Sequence, residues 1–306
     1  MKKYSYRKKL MKTVGLLTIW LISVWFIYYT NEREMSFGEA MANLIAGSII
    51  SYLVASISQL TDNTSWKSSQ STLKKNGEIN DDSAIRISFA YLFRIKIDGH
   101  YFLVPNSRSG KYQPVGGAYK FYKKEAEYMA YHFSAENDNR IAVDEVTKMD
   151  YRLLVKSRDL KKFIRRFDKT SYREDVSDLS REFVEEIFST GILDRETFGD
   201  LTYRFVGRHM TDVEYGRTFS HYELLLADII EVRLTDRQEE LFRDLMRQKS
   251  DKYLFASADE INSLGVNYVT QELDDNIANH TPKILSENTD DLIMRNRHQS
   301  SVTVRL

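Results

Sequence analysis

Three glutamates crowd into REFVEEIFSTGIL, the stretch from Arg181 to Leu193. If this segment is helical, Glu182, Glu185 and Glu186 stand three and four residues apart and gather on one side. Phe183, Val184, Ile187 and Phe188 then form the opposite, apolar side. Arg181 lies four residues before Glu185, within reach of an ion pair. Carboxylates at this spacing repel one another, and a hard dication would turn that repulsion into coordination. Mg²⁺ takes carboxylate and phosphate oxygens together. A solvated helix face reads the same way, so the helix alone leaves both readings open.

Other residues offer weaker chemistry. Glu223, in HYELLLAD, is a candidate further ligand or general base from a neighbouring strand, or simply an outward strand residue. His221, two residues earlier, points to the same side. The six histidines show no HExxH or paired ligand spacing, which argues against zinc. Cysteine is absent, so disulfides, thiolate metal sites and a cysteine nucleophile are excluded. SRSGK, Ser107 to Lys111, lacks P-loop spacing and reads as a hairpin end. Lys111, Lys120, Arg204 and Arg208 are candidate phosphate contacts, and a solvated surface explains each equally well. With 44 basic against 44 acidic residues, no net field points to nucleic acid.

The elements that must position these groups interleave strands and helices, which indicates an α/β domain. IRISFAYLFRIKIDGHYFLVPN is rich in β-branched and aromatic residues, and Asp98-Gly99 divides it as a hairpin signal. Gly116 and Gly117 follow Pro114 and precede another aromatic strand. DYRLLVKS reads as a strand. In RDLKKFIRRFDKT, Leu160, Phe163, Ile164 and Phe167 fall at helical spacing. HYELLLADIIEVRLT is a long strand, Thr235 can cap the helix DRQEELFRDLMRQ, and KYLFASA with ADEINSLGV gives a last strand and short helix. A final helix is expected around Asp274 to His280.

The front of the chain differs in kind. Thr13 to Tyr29 and Ala40 to Leu60 carry no charge, and at about 1.5 Å per residue they can cross a hydrocarbon core roughly 30 Å thick, the first only with help from its flanks. Lys2, Lys3, Arg7, Lys8, Lys9 and Lys12 precede the first run, and Lys67, Lys74 and Lys75 follow the second. The turn between them offers only Arg33 between Glu32 and Glu34. Positive-inside bias puts both ends in the cytoplasm. A signal peptide is the alternative for the first run, but IYYTNER lacks a small-residue cleavage pattern. Asn43, Gly47, Ser51 and Ala55 recur every four residues, a small-residue stripe suited to close helix packing within the chain or between copies.

R-E-apolar-x-E-E, with the Gly116-Gly117 turn upstream, resembles the Nudix box, the loop-helix-loop that holds divalent metal against a nucleoside diphosphate derivative. YLFASADEINSLGV resembles the last strand and helix of that fold, and the resemblance runs from about Ala84 to Leu285. A long insertion separates Gly117 from Arg181, IFST stands before Gly191, and Arg173 replaces the usual box glutamate, with Glu174 beside it. The hairpin anchor, DLKKFIRRFD, RED and REFVEEI together resemble the two-transmembrane Nudix effectors of CBASS, the cyclic-oligonucleotide antiphage systems. That resemblance implies a cyclic nucleotide made by a partner synthase, an inner-membrane location, a homo-oligomer and membrane damage that ends infection by killing the cell. It also implies Mg²⁺ on Glu182, Glu185 and Glu186, catalytic roles for Glu186 and Glu223, and ligand contacts from Gly116, Gly117 and Arg181.

The expected architecture is a two-helix membrane hairpin followed by a Nudix-like α/β/α sandwich with a mixed sheet and a large insertion in the box. Residues 1–12 would be a basic cytoplasmic N-terminus and 13–60 two transmembrane helices, about 13–29 and 40–60. Residues 61–83 would be a polar linker, 84–285 the Nudix-like domain and 286–306 a polar tail. Two functions stand against each other: a ligand-gated membrane effector, and a membrane-tethered Mg²⁺-dependent hydrolase of a nucleoside diphosphate derivative. A tethered scaffold without ligand is a third.

Overall fold

The structure is a computed structural model that describes residues 2–33, Gly47, Ile49, 52–53, 65–138, 147–216, 219–267, 272–273, 276–286, 292–293 and 300–306. The chain divides into two compact units, Met1–Ser68 and Ser69–Leu306.

In the first unit, helix α1 runs Lys2–Glu32. Its window Thr13–Thr30 has a mean hydropathy of 1.6, and this is the one helix among the described residues long and apolar enough to cross a membrane. Three hydroxyls inside the window are satisfied within the helix itself. Thr18, Ser23 and Thr30 donate to the carbonyls of Val14, Ile19 and Phe26, each at 2.9 Å. Such back-bonding is what lets a hydroxyl sit in an apolar medium. At its end Trp25 stacks on Tyr29, and Arg33 lies 4.7 Å over the Tyr29 ring, an aromatic and cationic terminus of the kind found at interfaces. Most of the second run, and with it Asn43, Ser51 and Ala55, lies outside the described residues. Gly47, Ile49, Tyr52 and Leu53 are helical.

In the second unit the strands in chain order are β1 (Ala84–Arg94), β2 (Lys96–Ile97), β3 (His100–Pro105), β4 (Tyr112–Gln113), β5 (Gly116–Ala118), β6 (Glu136–Asn137), β7 (Arg152–Lys156), β8 (Leu201–Met210), β9 (Glu214–Gly216), β10 (His221–Val232), β11 (Leu254–Ala256), β12 (Val266–Asn267), β13 (Glu272–Leu273) and β14 (Val302–Val304). An eight-stranded mixed sheet runs β14-β8-β10-β1-β7-β6, with β5 on β1 and β9 on β10. β1 and β10 are parallel, and the other pairs are antiparallel. β1 is buried along nearly its whole length, as a central strand covered on both faces must be. Its first half pairs with β7 and its second half with β5, so the Gly-Gly segment joins the sheet where β7 leaves it. A smaller sheet, β11-β3-β2 with β4 on β3, lies apart. Asp98 and Gly99 both have positive φ, the signature of the tight turn expected between β2 and β3.

The core is aromatic. Phe167 packs edge to face on Phe89 at 4.8 Å and on Tyr151 at 4.9 Å, and those two rings stack on each other. The helix Leu160–Phe167 supplies Leu160, Phe163, Ile164 and Phe167 to this core, as its spacing predicts. Thr235 accepts from the Gln238 N–H and forms a full capping box for the helix Asp236–Met246.

Four expectations change. Residues 65–75 of the supposed linker form a helix, held to the fold by Gln70, which donates to the Ser157 carbonyl at 2.6 Å. A helix at Lys123–Phe133, hidden in sequence by its mixed charges, is fixed by Glu125. That buried carboxylate takes two bonds from Arg166 and one from Thr170. The final helix falls at Thr281–Ile284, short and 3₁₀, because Pro282 sets its first turn. The polar tail ends in β14, whose Val-Thr-Val alternation fits it to the edge beside β8.

Arg204 and Arg208 also leave the phosphate candidates. Arg204 pairs with Glu231. Arg208, buried, clasps the fully buried Asp228 through two nitrogens and reaches Asp168 at 2.9 Å, while the Tyr119 hydroxyl donates to Asp228 at 2.8 Å. Asp228→Ala would strand the Arg208 charge. It is expected to cost about 3–5 kcal/mol of stability, measured as a lowered denaturant midpoint of the purified protein.

Candidate functional site

Between the Gly-Gly segment and the carboxylate helix lies a cavity of about 550 Å³, within the usual size of a small-molecule site. Gly116, Gly117, Arg181, Glu182, Glu185 and Glu186 all line it. Residues far apart in sequence are thus brought together, and the geometry shows how.

Gly116 has φ +147°, and a Cβ there would stand 2.3 Å from the Tyr91 carbonyl oxygen. Only glycine fits that backbone. A Cβ on Gly117 would meet Glu182 Oε1 at 1.9 Å, so the second glycine leaves room for a carboxylate. The Gly116 N–H donates to Glu186 Oε2 at 2.8 Å. The strand and the helix therefore touch through backbone on one side and carboxylates on the other.

The helix is α-helical for Arg181–Phe183 and continues as a π turn at Val184–Phe188, with Ser189 N–H donating to the Val184 carbonyl. π turns concentrate at functional sites. Phe183 and Ile187 are buried as expected, and Phe183 anchors the helix, 5.5 Å from Phe93 of β1 and 5.4 Å from Phe198. At the N-terminal side, the Tyr203 hydroxyl of β8 accepts from Leu179 N–H at 2.7 Å.

Arg181 dominates the electrostatics. Its Nε donates to Glu174 Oε1 at 2.7 Å, Nη1 to Glu182 Oε1 at 2.6 Å, and Nη2 to the Ala118 carbonyl at 3.1 Å. Glu185 Oε2, half exposed, is 3.5 Å from Nη1. Glu174 was legible only as the neighbour of Arg173, and it proves to be the main partner of Arg181. It also accepts from Lys120 N–H at 2.8 Å. Arg173 instead is buried, donating to the Phe167 carbonyl and stacking on that ring.

Burial pushes the Glu186 carboxyl up to about 8, with Glu182 and Glu185 adding to the rise and the Gly116 N–H opposing it. Burial also raises Glu182, against the pull of Arg181. The Tyr91 hydroxyl is fully buried, which raises its pKa well above the usual value, and lies within reach of Glu174, Arg181 and the Glu182 side chain and backbone.

The donor chemistry suits a hard cation, but the geometry does not assemble a cage. Among the described residues no three acidic or histidine side chains form a group able to hold a metal ion. The Mg²⁺ site expected on Glu182, Glu185 and Glu186 meets Arg181, which holds Glu182 and reaches Glu185, while Gly116 holds Glu186. Arg181 engages Glu182 Oε1 and faces Glu185 Oε2, so an octahedral ion here would share these carboxylates with the guanidinium through their other oxygens.

Glu223 does not line the cavity. It accepts from Arg86 Nη1 at 2.9 Å, and Arg86 also pairs with the buried Asp138. In the sheet Glu223 stands opposite Arg86, whereas Gly117 stands opposite Tyr91, five residues further along β1. At about 3.3 Å per residue their registers are offset by roughly 16 Å along β1, and they lie on strands flanking opposite sides of it. His221 bonds its neighbour's carbonyl. Lining residues that sequence reasoning missed are Asp150 and Arg152, brought in by β7, and Lys252. Arg108 of SRSGK and Lys120 also line the cavity, whereas Lys111 does not.

A family model for the SMODS-associated NUDIX domain matches residues 84–285, and the chain belongs to that family. Membership links it to the CBASS antiphage systems and their cyclic-nucleotide synthases. Among curated proteins none matches the chain.

The raised Glu186 carboxyl has a consequence for stability. The folded state keeps a proton that the unfolded chain loses near 4.5, so the contribution of Glu186 to stability is fully present below that pH and is lost as pH rises towards about 8. Glu186→Gln is expected to flatten this slope between pH 4.5 and 8, measured by denaturant unfolding at stepped pH.

Proposed function

We propose that this chain is a membrane-anchored CBASS effector whose pocket senses a cyclic nucleotide made by a partner synthase and thereby triggers inner-membrane damage. One observation carries the choice of sensing over hydrolysis. Arg181 pairs with Glu182 and lies 3.5 Å from Glu185, while the Gly116 N–H of β5 holds Glu186, so each carboxylate that a hydrolytic metal centre would use already has a partner in the protein. A pocket arranged this way can bind a ligand and respond to it, with Glu186 and Arg181 tying the helix to β5. Family membership supports the link to a synthase. The apolar window of α1 supports an anchor.

In this reading the second uncharged run, 40–60, completes a two-helix hairpin with both termini cytoplasmic, where the messenger is made. The Asn43, Gly47, Ser51 and Ala55 stripe packs copies of the hairpin against each other. Ligand binding moves the helices only if it favours one arrangement of the cytoplasmic domains over another. The outcome is loss of the membrane barrier and abortive infection.

Calorimetry on the full-length protein in detergent, with a panel of cyclic di- and trinucleotides, tests the proposal when paired with product analysis in Mg²⁺. One cyclic nucleotide is expected to bind and to be recovered intact. Cleavage of the bound nucleotide would establish the tethered hydrolase instead, and no binding across the panel would remove the sensing role.

A further inference from the structure

The pocket is not uniformly acidic. Besides Arg181 and its glutamates, the lining carries Arg108, Lys120, Arg152 and Lys252 together with Asp150. Asp150 pairs with both Lys120 and Arg152, the latter at 2.9 Å, and Arg108 has no ion-pair partner among the described residues. Asp150 and Glu182 both act on Arg152, which leaves Arg108 as the cation of this cluster with no carboxylate paired to it among the described residues.

Arg108 is held in place rather than left on a loose loop. The Asn106 side chain accepts from the N–H groups of Arg108 and Ser109 at 2.9 and 3.0 Å, and Gly110 turns the chain at φ +71°. The Asn106 amide donates to Gln113 at 2.8 Å, and Gln113 in turn hydrogen-bonds Glu186. The arginine turn and the carboxylate helix are thus joined through two buried or half-buried amides. Burial lowers the pKa of Arg152, Asp150 and Glu182 oppose that, and the like charge of Arg108 adds to the lowering. Two guanidinium groups that repel each other in a half-buried cavity are stabilised when an anion arrives, and planar forks suit phosphate oxygens.

We propose that Arg108 and Arg152 form a phosphate-binding subsite that takes the ligand's phosphate without a metal ion. The proposal rests on the pocket being the ligand site of the sensor and names how that ligand is held. The Asn106–Gln113–Glu186 chain then passes occupancy of the subsite to the carboxylate helix.

The test is titration of the full-length protein in detergent with inorganic pyrophosphate in EDTA, beside the cyclic nucleotide panel. Saturable binding is expected, weakening as salt rises. Arg108→Gln, on an exposed turn that needs no side chain from it to fold, should weaken binding at least about tenfold. Arg152→Gln should do the same, with Lys120 left to neutralise Asp150. Lys162→Gln, an exposed helix lysine outside the pocket, should change nothing. Loss of parent binding in EDTA, or binding indifferent to both arginine changes, would overturn the subsite. If pyrophosphate binds through the arginines and no cyclic nucleotide does, the subsite stands and the sensing role falls. If a cyclic nucleotide binds and neither arginine matters, the reverse holds.

Discussion

One guanidinium joins the strand and the helix that make this pocket. Arg181 reaches back to Glu174, sideways to Glu182 and across to the Ala118 carbonyl of β5. Each contact is charge-assisted or made to a backbone oxygen, and all are partly shielded from water. A half-buried arginine is costly without partners. Its three partners come from the loop before the helix, from the helix and from the sheet, so satisfying it draws those segments together. Gly117 is bare because Glu182 needs the space, and Gly116 is bare because β1 needs it.

Hydrophobic packing supplies the platform on which this pairing acts. Phe183 fits among Phe93, Phe188 and Phe198, which fixes the depth of the helix against β1. The same strand carries Tyr91 beneath Gly117 and Phe89 into the aromatic core. Burial then has an electrical effect. Glu182 and Glu186 sit where their charged forms are disfavoured, and the acids that looked like free ligands are held as partners. The positive part of the lining, on β7 and the Asn106 turn, is left to meet an anion.

Much of this was legible in the residues. Period-two runs gave β1, β7 and β10, Asp98-Gly99 gave the hairpin, and the Thr235 cap gave its helix. The box core Arg181 to Glu186 and the paired glycines could be joined by resemblance despite the long insertion. What could not be read was pairing across the sheet. Glu174 is one residue from the expected place, and only the fold shows that it turns to Arg181. Asp150 and Arg152 enter the pocket because β7 lies antiparallel on β1, which no local pattern states. Glu223 looked equally suited to chemistry, but its register beside Arg86 puts it elsewhere in the sheet. The helix Lys123–Phe133 was hidden because its buried Glu125 reads as polar until Arg166 is placed beside it.

The central claim is that Arg181 and Glu174 hold the carboxylate helix to the sheet. A double-mutant cycle on the folded unit's stability measures it most directly, using Arg181→Ala, Glu174→Ala and the double variant. A coupling of about 1–3 kcal/mol is expected for a charge pair in this setting. Additivity within about 0.5 kcal/mol would mean that the helix is held by Phe183 and its neighbours alone, and that the acids are free to serve a metal after all.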